Sequence, residues 1–146
     1  MTSYVTRYLA QPGTSITTLT SWDGRPTGAF LRQGEVLQLL WLVWDLSPQY
    51  EIWLRVPVHS WAWQGFSEPD LMAEFVVKHA SGEAVVEAVG PARGGWSAVF
   101  LAAQMPVTSA DSLAIDAARA LADAKADERE PAPNDFSELV ASLALA

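Results

Sequence analysis

Apolar and polar residues alternate along "YEIWLRVPV", residues 50–58, which predicts an extended strand. Tyr50, Ile52, Leu54, Val56 and Val58 fall on one side, and Glu51, Trp53 and Arg55 on the other. Pro57 cannot donate a ladder hydrogen bond, so this strand is expected to be an edge or to end there. The same period runs through "EFVVKHASGEAVVEAV", where Ser81-Gly82 is a two-residue turn signal. A hairpin is expected, with Phe75, Val77, His79, Ala84, Val86 and Ala88 on its core face and Lys78 facing Glu87 on the outer one. "WSAVFLAAQM", "ITTLTSW" and "GAFLRQ" predict further strands. "EVLQLLWLVWDL" is apolar on both faces at a period of two and nearly all round at 3.6; the following Ser47-Pro48-Gln49 turn signal favours a strand.

After Thr108 the period lengthens. Thr108 is a capping residue with Asp111 close behind, and Leu113, Ala117, Ala120, Leu121 and Ala124 form one helical stripe beside a polar face of Asp116, Arg119 and Asp123. "EREPAPN" breaks that helix. Asp135 with Glu138 starts a second, striped by Phe136, Leu139, Val140 and Leu143. Strands followed by helices predict an α+β fold: a mainly antiparallel sheet of about five to seven strands, with two C-terminal helices packing on it. One domain over residues 1–146 is expected, β-rich over 1–107 and helical over 108–146.

Composition narrows the function classes. The net charge is −8, with no run of basic residues, which argues against nucleic-acid binding. Residues 109–146 hold eight acids and three bases, a net −5, and form either a solvated face or one that steers a basic partner. The absence of cysteine excludes disulfides and thiol chemistry. No signal-peptide pattern opens the chain and no apolar run reaches membrane-spanning length, so a soluble, cytoplasmic protein with no membrane partner is expected.

Candidate chemistry is sparse. His59 and His79 are the two histidines, and neither has a carboxylate at helical ligand spacing; no metal and no cofactor is expected. His79 reads as a partly buried histidine at a strand end, and His59, close to Trp61 and Trp63, as a loop histidine or the better pocket candidate. Ser97 in "GWSAV" lacks the second glycine of a nucleophile elbow, and "GPARGG" is a connecting loop before it is an anion nest. Glu68 and Asp70 in "SEPD" read as a solvated turn. No catalytic set stands out, which argues against an enzyme.

The most specific feature is the indole density of residues 41–63, which hold Trp41, Trp44, Trp53, Trp61 and Trp63, five of the seven tryptophans. Trp41 and Trp44 differ in strand parity and should point to opposite faces; Trp53 points away from Tyr50. One core cannot take all five from two flat strands, so some should pack under helices, line a cavity or meet a partner. The candidate binding surface or pocket comprises Trp41, Trp44, Trp53, Arg55, His59, Trp61 and Trp63. "YEIWLRVPV" at 50–58 and "APNDF" at 132–136, about fourteen residues together, resemble the sheet strand and C-terminal helix start of SecB-type export chaperones. That resemblance implies an acidic α+β oligomer that holds unfolded chains on apolar grooves. The Ala-rich linking helix departs from the aromatic, Pro-containing character of that family.

These features predict a non-enzymatic protein-binding module of adaptor, chaperone or inhibitor type that self-associates. The alternatives are a small-molecule-binding α+β barrel, possessing a Trp-lined pocket and hydrolase or isomerase chemistry from His59 with Glu68 or Asp70, and a structural assembly subunit.

Overall fold

The computed structural model describes residues 12–22, 25–46, 50–59, 69–91, 97–123 and 127–128. The fold is α+β. Strands β1 (Thr14–Trp22), β2 (Arg25–Gln33), β3 (Val36–Leu46) and β4 (Tyr50–Pro57) precede helix α1 (Pro69–His79). Strands β5 (Ala84–Pro91) and β6 (Ser97–Met105), helix α2 (Leu113–Asp123) and the two-residue strand β7 (Asp127–Glu128) follow. The strands form one antiparallel sheet in sequence order from β1 to β7. The ambiguous stretch is therefore strand, and its β2–β3 turn uses Gly34 at φ 62°, a backbone conformation that a two-residue hairpin loop requires.

One face of the sheet carries the larger core. Phe30, Leu39, Tyr50, Ile52, Leu54, Val56 and Val86 meet Met72, Ala73 and Val76 of α1 and Leu113, Ala117 and Leu121 of α2. The second face carries a smaller cluster of Ala29, Leu31, Leu40, Trp53 and Val89, all from strands. The β4 alternation thus stands as its sequence implies, except that Trp53 on its second face is buried as well, between half-buried Glu51 and Arg55. Pro57 ends β4, which lies inside the sheet between β3 and β5.

The expected hairpin is half right. Its second arm is β5, but residues 69–79 form α1. Pro69 occupies the first helical position, where its missing N–H costs nothing. Met72, Ala73 and Val76 then make a helical stripe, fully inside the core, while Val77 is only half-buried. The period-two pattern from Phe75 to His79 competes with this stripe, which begins before it. Lys78 is exposed, and Glu87 pairs with Arg55 instead. Asp70 accordingly belongs to the first turn of α1 and not to a loop. Gly28 makes room for α1: a Cβ there would lie 2.9 Å from Met72 Cε and 2.6 Å from Thr20 Oγ1.

Helix α2 starts later than Thr108. Ser112 is its cap: the Asp116 N–H donates to the Ser112 carbonyl at 2.8 Å, and Ser112 Oγ donates to Asp116 Oδ2 at 2.9 Å. Asp116 also places negative charge at the helix N-terminus, where the backbone dipole favours it. The expected C-terminal helix beyond Asp135 lies outside the described residues. No helix among the described residues is long and apolar enough to cross a membrane.

Candidate functional site

The tryptophans divide between the two faces. Trp41 is opposite Leu54, and Trp44 is opposite Ile52, with a register shift between Leu42 and Trp44. This bulge at Val43 inserts one residue and resets the alternation. Trp41 and Trp44 therefore share the helix-covered face, against the expectation from parity. Trp41 is buried in the core, and Trp44 is half-buried with its Nε1 donating to the Ala114 carbonyl of α2 at 2.9 Å. That bond ties β3 to the first turn of α2.

Trp53 lies on the second face as expected, but it is only 1% exposed within its own chain. Its Nε1 donates to Glu51 Oε1 at 3.2 Å. Alternation sends Trp53 away from Tyr50, and there it packs in the second buried cluster of its own chain. Arg55 shares its face and donates through Nε to Glu87 Oε1 at 2.9 Å. Trp61, Trp63 and Glu68 lie outside the described residues.

Two side chains that the sequence kept apart come together. The chain leaving β4 forms an antiparallel bridge between Val58 and Ala80, and the His59 N–H donates to the His79 carbonyl at 3.1 Å. The Ser81 N–H donates to the Pro57 carbonyl at 2.9 Å, closing the same short ladder. The His59 and His79 rings stand 5.3 Å apart, nearly perpendicular, with the His79 ring 4.5 Å from Phe75. His79 Nδ1 is buried with no hydrogen-bond partner. Burial lowers the His79 pKa below its usual value, and the neighbouring His59 and Lys78 push it the same way. Sequence spacing misses this pair, because nineteen intervening residues and a strand-like pattern over α1 conceal the bridge.

A separate cleft of about 480 Å³ opens between the end of β6 and α2. Met105, Pro106, Thr108, Asp116 and Arg119 are among its lining residues. Among the described residues, none of Trp41, Trp44 and Trp53 and neither histidine is among its lining residues. Among the described residues no group of three or more His, Cys, Asp or Glu side chains is arranged around a metal position.

No family model, curated protein or solved structure matches this chain.

Proposed function

We propose that the chain is a non-enzymatic protein-binding module whose first partner is a second copy of itself, joined edge to edge along β1. The supporting observation is the composition of that edge. Among the described residues strand β1 ends the sheet, and its sequence TSITTLTSW contains no charged residue and no proline. Natural sheet edges are usually guarded by lysine, proline or bulges, because an open edge templates further pairing. Here the bulges fall between Thr18 and Ser21, so Thr14 to Thr18 pair with β2 in unbroken register. Ser15, Thr17 and Thr18 are exposed along that regular stretch. Two such edges related by a twofold axis are self-complementary, and no like charges meet between them. The acidic C-terminal sequence would then steer a basic protein to the assembled module, in an adaptor, chaperone or inhibitor role.

Sedimentation equilibrium up to about 100 µM tests this, at concentrations where a micromolar dimer is populated. The expected result is a dimer that becomes monomeric in Ser15→Lys/Thr17→Lys, with unchanged circular dichroism. A wild-type chain that remains monomeric overturns it.

The cleft between β6 and α2 supports a second function, capture of a small polar molecule. Its volume falls in the range of ligand sites, and Asp116 and Arg119 are among its lining residues.

A further inference from the structure

We propose that His59 and His79 form a two-histidine site for a late first-row transition ion of the zinc, nickel or copper class, with water completing the coordination. The backbone fixes the pair. His59 follows the Val58–Ala80 bridge, its N–H is bonded to the His79 carbonyl, and the Ser81–Pro57 bond closes the ladder from the other side. The backbone thus holds the two imidazoles beside each other before an ion binds.

The spacing fits the coordination. A Zn–N bond of about 2.0–2.1 Å, plus a ring radius of just over 1 Å, puts two tetrahedrally bound imidazole centroids about 5 Å apart. The observed separation is 5.3 Å. The second observation is the His79 ring itself. Its Nδ1 is buried and has no hydrogen-bond partner, so one side of this imidazole lacks the interaction that an imidazole normally finds. His59 is exposed, so an ion can approach from solvent. Phe75 backs the His79 ring and limits its rotation.

The donor set selects the ion. Imidazole suits zinc, copper and nickel, whereas magnesium and calcium require oxygen ligands. Among the described residues no carboxylate joins the pair to make a three-residue cluster, so two protein ligands are assigned to the ion. The site is therefore expected to exchange its ion and not to hold the fold together. It does not depend on the β1 edge, so its test is independent of the oligomer.

Isothermal titration of the untagged full chain with NiCl2 and ZnCl2, and with MgCl2 as control, reads the site directly. The expected result is saturable binding of one nickel or zinc ion per chain and no binding of magnesium. His59→Ala, at an exposed position that leaves the core untouched, should weaken nickel binding about tenfold or more. Copper(II) electron paramagnetic resonance should show hyperfine coupling to two imidazole nitrogens in the wild type and to one in His59→Ala. Nickel binding of equal strength in wild type and His59→Ala overturns the proposal, as does a wild-type chain with no saturable nickel or zinc binding below about 1 mM.

Discussion

Arg55 on β4 reaches diagonally across the sheet to Glu87 on β5, with Nε 2.9 Å from Oε1 and the Glu87 side chain only 3% exposed. A carboxylate this deeply buried depends on its cation. Arg55→Met should therefore destabilise the chain by about 3 kcal/mol, because it removes a charge partner from a buried carboxylate. The double change Arg55→Met/Glu87→Leu should recover most of that loss, since the desolvation cost disappears with both charges. Urea denaturation of the two proteins measures the difference. A double variant as unstable as the single one would show that the pair contributes through packing and not through charge.

Val76 and Val77 are adjacent but differ in burial, the first being 0% exposed and the second half-buried. Val76→Asp should destabilise strongly, on the order of 3 kcal/mol or more, because it places a carboxylate in the core beneath α1. Val77→Asp should be much milder. The alternation of the sequence predicts the opposite order, so denaturation midpoints for these two variants separate helix from strand over residues 69–79. A larger loss in the Val77 variant would contradict the helical packing.

That reversal shows which features were legible in sequence. The β4 faces were readable because period-two burial on one side is an unbroken pattern from Tyr50 to Val58. Helix α1 was not, because five residues of strand-like alternation overlap a helical stripe that starts at Met72, and a short apolar run carries both periods. The facing of Trp44 depends on a bulge, which changes parity without leaving a mark in composition. Helix α2 was legible in its stripe but not in its start, since Thr108, Ser109 and Ser112 are all competent caps and tertiary contacts select among them. The His59–His79 pair depends on a bridge between the residues that follow β4 and α1, which no local pattern specifies.

Gly28 supplies a prediction about how α1 seats on the sheet. A Cβ at this position would sit 2.6 Å from Thr20 Oγ1 and 2.9 Å from Met72 Cε. The methionine tip can swing away, but Thr20 Oγ1 is hydrogen-bonded to Thr27 Oγ1 at 2.9 Å and would have to break that contact. Gly28→Ala should cost about 1–3 kcal/mol, the usual penalty for overpacking. The double change Gly28→Ala/Thr20→Ala should recover part of it. Thermal melts of the two variants decide the matter, and an unchanged midpoint for Gly28→Ala would show that α1 does not bear on β2 at this position.

The His79 environment sets a pH dependence whose sign can be worked out. Its folded-state pKa is lowered from 6.5, chiefly by burial and then by the charges of His59 and Lys78. The unfolded chain therefore takes up a proton at a higher pH than the folded chain does. Stability from this group is fully present above the unfolded value and falls as pH descends through about 6.5 toward the folded value, below which the loss levels off. Measured with a chelator present, so that no bound ion intervenes, the wild type should lose stability over that interval more steeply than His79→Gln. Histidine NMR titration separates the causes. In His59→Ala the His79 pKa should rise, because one cationic neighbour is gone, yet remain below 6.5, because burial is the larger cause. A His79 resonance that titrates at the unperturbed value in the wild type would mean that its ring is solvated, and the pH dependence should then vanish with it.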